Sequence, residues 1–299
     1  MELARLNVMY GHLEGTEGKF ARDPSGYLSI DAGIYEKHGL DVSWRHVQGT
    51  EARYQQLESG AAHISMVVGR ASLQHFLDTK NTRLLGCVMN SCSYYFVTAA
   101  GINKIGDLKN KAIGCRQGPA QGVSFARLLQ ERAGLKLGAD LSLQFTGSDQ
   151  DAFRLLLSGQ TQAAWLPRPY AFIAEEKGFV RLKEWSDVVD DPLPITMETT
   201  TPLLTERADD FTRFVQAHRE GIRYLSNHRE ETMSLLESRF GHSTELAAKT
   251  FDEYLTCMDG RLTVEFKHLE KLVGQIAPSI PGGAKQIASE WIVPGALRQ

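Results

Sequence analysis

The sequence predicts an α/β protein of two lobes, each a sheet covered by helices, and three observations carry that expectation. Short apolar runs of strand length alternate with amphipathic stretches of helix length through the first two thirds of the chain. One helix-to-strand junction, "LESGAAHISM" at Leu57–Met66, is echoed 99 residues later by "LLSGQTQAAW" at Leu156–Trp165, so a single β/α plan is used twice. With 299 residues, 42% of them hydrophobic and 23% charged, the chain is long enough to bury two moderate cores.

The elements follow in order. Leu6 to Tyr10 reads as a strand, followed by a long glycine-rich, charged loop from Gly11 to Asp23. Asp23 is placed to cap a helix with Pro24 at its first position, and Gly39 after His38 suits its C-terminal end. A strand at Asp41 to His46, a helix at Glu51 to Ser59 stopped by Gly60, and a more buried strand at His63 to Val68 come next, with a new helix starting near Ala71. Arg83 to Met89 and Tyr94 to Ala99 are strands, and a turn-rich segment then delivers another at Lys111 to Cys115. Helix Gln121 to Ala133, strand Leu141 to Thr146, helix Gln150 to Ser158, strand Gln162 to Leu166, helix Tyr170 to Lys177 and strand Val180 to Trp185 alternate as in a helix-covered sheet. "SDVVDDPLP", with three acids and two prolines, breaks this alternation, and beyond Leu204 the pattern is almost wholly helical. The expected division is residues 1–97 as the first part of lobe I, 98–197 as lobe II, and 198–299 as the completion of lobe I with C-terminal helices.

Charge narrows the function. Thirty-three Lys plus Arg against 36 Asp plus Glu leave a net charge of -3, so no global basic field draws the chain to nucleic acid or an anionic membrane. The longest stretch without a charge, Leu84 to Asn103, contains Gly86, Asn90, Ser91, Ser93 and Gly101 and reads as strand, turn, strand rather than a membrane span. The opening "MELARLNVMYGH" has neither the basic nor the apolar region of a secretory signal. Cys87, Cys92, Cys115 and Cys257 fit neither a metal motif nor a dense disulfide framework, although an even number leaves one disulfide open. The nine histidines show no HExxH or Cys/His metal spacing and there is no GxSxG elbow, so no catalytic residue, metal or cofactor is expected. "HREGIR" and "HREETM" read as solvated helix faces.

Ligands of open α/β sheets sit beyond the carboxyl ends of strands, where helix N-termini converge. Two such ends carry Gly11-His12 and Gly69-Arg70-Ala71-Ser72. Arg70 and Ser72 suit a carboxylate, sulfonate or phosphate, against the alternative of a surface arginine paired with an acid. In "GCRQGPAQGVSF", Gly118 and Gly122 flank Pro119, Ala120 and Gln121 after Gln117, a loop that gathers N–H donors at a helix start or is a plain strand-to-helix turn. Trp165 and Arg168 in "AAWLPRPYAF" are aimed by a rigid proline turn, with Trp165 alternatively core. Asn90 at a strand end and Glu198 in a hinge segment complete the candidates.

These segments resemble the extracytoplasmic solute-binding proteins of ABC importers for nitrate, sulfonates and taurine, together with the related thiamine-pyrimidine synthase-like proteins. "AGIYEKHGLDV" at Ala32–Val42 is similar to the family's helix-Gly-Leu-Asp-Val entry, and "LESGAAHISM" to its Leu-x-Ser/Ala-Gly-x-x-Asp strand, with His63 or a neighbour in place of the acid. The Ile105–Leu135 segment resembles the opening of the second lobe, with Asn110 in a glycine position, and "LLLSGQTQAAWLPRPY" resembles the closing strand. The resemblance implies a type II periplasmic-binding fold with its ligand cleft between the lobes, a monomer outside the cytoplasm or, given the opening sequence, within it, and a membrane ABC permease as partner. Where the family often has Trp, an acid, Pro and Tyr, this chain has Trp165, Leu166, Pro167, Arg168, Pro169 and Tyr170, so a negative group gives way to a positive one and an anionic ligand is expected. Two alternatives stand beside a solute binder. One is an enzyme on the same fold, for which the pyridoxal phosphate lysine and cysteine cluster of fungal pyrimidine synthases have no counterpart near Val67 to Arg70 and His75 is the nearby imidazole. The other is a cytosolic ligand-sensing domain.

Overall fold

The computed structural model describes residues 2–10, 23–47, 49–116, 129–182, 190–280 and 282–298. Most of the loop from Gly11, the start of the helix at Gln121 and the end of the strand expected at Val180 to Trp185 lie outside them.

The chain forms two compact units. Among the described residues, the second comprises Ser93–Asp191, and the first is assembled from those up to Cys92 and from Pro192 onward. In the first unit, strands β1 (Ala4–Tyr10), β2 (Leu40–His46), β3 (Ile64–Val67), β4 (Thr82–Ser93) and β10 (Asp190–Thr200) form one sheet in the order β2-β1-β3-β10-β4. β1 pairs in parallel with both β2 and β3, whereas β10 runs antiparallel to β3, with Glu198 opposite Ser65 and Thr196 opposite Val67. In the second unit, β5 (Tyr95–Thr98), β6 (Lys111–Arg116), β7 (Leu141–Thr146), β8 (Ala163–Leu166) and β9 (Val180–Arg181) are ordered β7-β6-β8-β5-β9. β6 is parallel to β7 and β8, and β5 is antiparallel to β8. The two sheets repeat one plan, strand for strand.

Helices cover both sheets. The first unit carries α1 (Ser25–Asp31), α2 (Ile34–Lys37), α3 (Thr50–Glu58) and α4 (Gly69–Thr79), and the second α5 (Asp149–Leu157) and α6 (Tyr170–Glu176). The C-terminal part of the first unit adds α7 (Thr201–Glu206), α8 (Ala208–Asn227), α9 (Arg229–Phe240), α10 (Thr244–Cys257), α11 (Phe266–Ile276) and α12 (Gly283–Trp291), with a short pair of strands, β11 (Val264–Glu265) and β12 (Leu297–Arg298). α8 buries Phe211, Phe214, Ala217, His218, Gly221, Ile222 and Leu225, the stripe that a period of 3.6 residues places on one side, against α1, α2 and β2.

Three expectations change. The single helix expected from Pro24 to His38 is two, because the chain turns at Ala32 and Gly33, the latter at φ 64. "DDPLP" does not break the structure but opens β10, whose pairing with β3 runs from Thr196 to Glu198, past both prolines that lack an N–H to donate. His218 of "HREGIR" is fully buried rather than solvated.

Each unit has its own core. Leu6, Val8, Ile34, Tyr35, Ile64, Val88, Phe214 and Tyr254 belong to the first, and Phe96, Ile113, Cys115, Leu141 and Trp165 to the second. A further cluster in the first unit packs α4 against α11 and α12, with Phe76 stacked on Trp291. Cys87, Cys115 and Cys257 are free thiols. Among the described residues no helix is long and apolar enough to cross a membrane, and no group of three His, Cys, Asp or Glu side chains stands ready to hold a metal ion.

Candidate functional site

In the first unit the carboxyl ends of β1, β2 and β3 fall at Tyr10, His46 and Val67, and α4 begins directly after β3. Gly69 opens α4 under close approach from β10: a Cβ there would lie 2.6 Å from Leu193 Cβ and 2.8 Å from its carbonyl oxygen. That contact sets the first turn of α4 against the sheet.

Arg70 projects from this turn and is half-buried. Its Nη2 donates to Gln275 Oε1 of α11 at 2.8 Å, a neutral acceptor, and no described carboxylate lies within ion-pair distance. The guanidinium is held in place by a neutral partner. Ser72, two residues further in the same turn and fully buried, donates its hydroxyl to Glu198 Oε2 on β10.

Glu198 is the centre of a polar group beneath α3 and α4. It is fully buried, and burial pushes its carboxyl up to about 7, against the pull of the Ser72 and Tyr54 hydroxyls and the Arg53 charge. Its second oxygen, the Tyr54 hydroxyl and the hydroxyl of Ser65 opposite it on β3 are all buried without a hydrogen-bond partner of regular geometry. Burial and then the neighbouring Glu198 hold the Tyr54 phenol well above its ordinary range, so it stays neutral. His75 lies flat on Tyr54, ring centroids 3.6 Å apart, and pairs with Glu58 at 3.3 Å, which turns it towards α3. The β3–α4 segment contains no lysine that could form a Schiff base.

The ends of β1 and β2 hold an aromatic group that the sequence reading did not single out. Tyr10 stacks on Trp44, with centroids 6.1 Å apart, lies 5.7 Å from His46, and is hydrogen-bonded through its hydroxyl to that of Tyr27. Behind Trp44 lies His218, 5.7 Å away and stacked. Its Nε2 is 2.8 Å from Asp23 Oδ2 and its Nδ1 2.8 Å from the Tyr35 hydroxyl. A carboxylate only accepts, so Nε2 donates to Asp23, while Nδ1 shares its hydrogen bond with the Tyr35 hydroxyl. Ser25 donates both its N–H and its hydroxyl to the other Asp23 oxygen. This relay ties the start of α1 and α2 to α8. Tyr10, Trp44 and His46 are legible in principle, as aromatic and imidazole side chains at or near the ends of two strands.

The remaining predicted residues are placed differently. Asn90 donates to the Thr263 carbonyl at 2.8 Å and accepts from the Glu265 N–H at 2.7 Å, so its amide clamps the β11 segment onto β4. In the second unit Trp165 is buried with its ring 4.7 Å from Phe96 in the core, and Arg168 is only 2% exposed at the turn between β8 and α6. His12, Gln117, Gly118, Ala120 and Gln121 lie outside the described residues. His63 accepts from the Asn7 N–H through Nδ1 at 2.8 Å. Burial, followed by Arg207, holds it down at about 4, and it serves as a neutral acceptor.

Two units with this repeated strand order define the two-lobed type II periplasmic-binding architecture, and solved structures share it. The CA3427 gene product of Candida albicans, described as having the generic periplasmic binding protein fold, is similar over 99% of this chain and 98% of its own at 16% identity and a TM-score of 0.68. The alkanesulfonate-binding protein SsuA of Xanthomonas axonopodis pv. citri, bound to MOPS, matches over 100% and 99% at 13% identity and 0.66. The desulfurization enzyme DSZB matches over 96% and 92% at 16% identity and 0.61. No curated protein sequence matches the chain. The NMT1/THI5 like family model matches residues 25–232, and the chain belongs to that family.

Proposed function

We propose that this chain is the solute-binding protein of an ABC importer, working outside the cytoplasm, and that it captures a small organic anion by closure of its two lobes. The sulfonate or carboxylate head is held by Arg70 and the N-terminal turn of α4, with Arg168, Gln117, Gly118, Ala120 and Gln121 as further ligand-binding residues. Tyr10, Trp44 and His46 offer ring surfaces to an apolar or aromatic body. The observation that carries this reading is Arg70, a half-buried guanidinium whose hydrogen-bond partner is neutral and which has no described carboxylate beside it. An arginine in that state is a better match for an incoming anion than one already paired. The sulfonate-binding protein among the structural neighbours points the same way.

Capture and release need no bond making: a ligand that binds the closed form better shifts the population towards it. A thermal-shift series of alkyl and aryl sulfonates, carboxylates and nitrate tests the reading. A ligand that raises the melting temperature, is recovered unchanged, and loses its effect in Arg70→Ala supports it. A series without any such ligand overturns it. The desulfurization enzyme on the same fold favours a second reading, catalysis on a sulfur-bearing anion, and recovery of a converted ligand would establish that reading instead.

A further inference from the structure

We infer that Glu198 couples anion binding to proton uptake: an anion seated at the N-terminal turn of α4 drives the Glu198 carboxyl to its neutral form, and a neutral Glu198 in turn strengthens anion binding. The inference rests on the anion reading above and concerns the regulation of that same site.

The geometry supplies the coupling. Glu198 on β10 and the first turn of α4 are joined through one hydroxyl, that of Ser72, and both side chains are fully buried. An ionised Glu198 therefore places a negative charge against the same turn of α4 that is proposed to receive the ligand anion, in a setting where water screens little. Like charges so placed oppose each other, and by linkage each ligand bound raises the affinity of the carboxyl for a proton by the same factor that protonation raises the affinity for the ligand. Ser72 adds a directional effect. Facing a carboxylate its hydroxyl must donate to Glu198, whereas a protonated carboxyl can donate to Ser72 and free the hydroxyl hydrogen.

The groups that face Glu198 come from three elements. From α3 come Arg53, which favours the ionised form, and Tyr54, whose phenol stays protonated. From α4 come Ser72 and, behind Tyr54, His75, which is paired with Glu58. From β3 comes the Ser65 hydroxyl, and His63 at its approach is turned to the Asn7 N–H. Burial leaves Glu198 poised at about 7, where a modest added repulsion completes its protonation.

Isothermal titration of the full chain with ethanesulfonate, an anion charged at every pH used, tests the coupling. Affinity is expected to fall about tenfold between pH 6 and pH 8, and titrations at pH 7 in two buffers of unlike ionisation heat are expected to show uptake of roughly half a proton per anion bound. Glu198→Gln, a neutral isostere, is expected to bind equally well at both pH values. Binding that is independent of pH, without proton uptake, overturns the coupling and leaves the anion reading intact, as does a pH dependence that persists in Glu198→Gln. If ethanesulfonate binds at no pH, the anion reading fails for sulfonates and the coupling falls with it. Should Glu198→Gln not fold, the proton count on the unaltered protein decides.

Discussion

The two helix-to-strand turns, α3 into β3 and α5 into β8, are nearly superimposable in their backbone and different in what they lead to. Ser59 and Ser158 end their helices at φ -76, ψ -8 and φ -79, ψ -6, and Gly60 and Gly159 follow at φ 74 and φ 75. The same three hydrogen bonds close each turn, among them Gly60 N–H to the Leu57 carbonyl at 3.2 Å and Gly159 N–H to the Leu156 carbonyl at 3.1 Å. Past the strands the likeness stops. β3 leads into a glycine, a half-buried Arg70 with a neutral partner, and Ser72 bonded to an acid on the neighbouring antiparallel strand, whereas β8 leads into two prolines around the buried Arg168. The repeat therefore fixes the scaffold, and the chemistry is added where the strands end.

The largest test of the difference removes a feature that the first unit alone possesses. His218→Ala strips two buried partners, Asp23 and Tyr35, of their shared imidazole and is expected to cost roughly 3 to 5 kcal/mol. Hydrogen exchange should show faster opening of β1 and α8, with β6 and β8 of the second unit protected as before. Equal loss of protection in both units would mean that they unfold as one.

Leu57→Ala and Leu156→Ala probe the shared part, since both leucines are buried to within 1% at matching places in the repeat. Each is expected to lose about 3 to 4 kcal/mol, read by urea denaturation. A clear inequality would show that the two turns carry unlike packing despite their common backbone.

The pH dependence of the first unit follows from Glu198. Its folded value of about 7 lies above the ordinary 4.5, so the folded state holds the proton more tightly than the unfolded chain between these limits. This contribution to stability is complete below pH 4.5, declines as pH rises to about 7, and is absent above, a change on the order of 3 kcal/mol. Melting curves of Glu198→Gln should lack this decline. If the variant and the unaltered chain follow the same pH curve, Glu198 is not the group responsible.

The smallest effect is the most symmetrical. Gly60→Ala and Gly159→Ala place a side chain in the left-handed region with nothing within 4 Å to clash, so each should cost about 1 kcal/mol from backbone strain alone. Matching shifts in melting temperature confirm the repeat at the level of single dihedrals.

The repeat was legible because it is local: a helix stripe, Ser-Gly and an apolar strand lie within ten residues. Strand β10 was hidden by Pro192 and Pro194, since its membership of the sheet is decided by β3 and β4, far away in sequence. For the same reason His218 read as solvated, as its partners stand 183 and 195 residues back along the chain. Arg70 and Ser72 were legible as members of a strand-end turn. That Ser72 is taken up by Glu198, and that Asn90 holds β11, needed the fold.

The first unit's sheet has a consequence for synthesis. β10 stands between β3 and β4, yet it is made only after the whole of Ser93–Asp191. While a ribosome extends the chain, Ser93–Asp191 is a contiguous stretch of the second unit free to fold first, and β3 and β4 wait as unpaired edges for the strand that will join them. The nascent first unit is thus an interrupted sheet for the time needed to add roughly a hundred residues, some 5 to 20 s at ordinary elongation rates. Its exposed edges in that interval make the half-finished chain a natural client for chaperones.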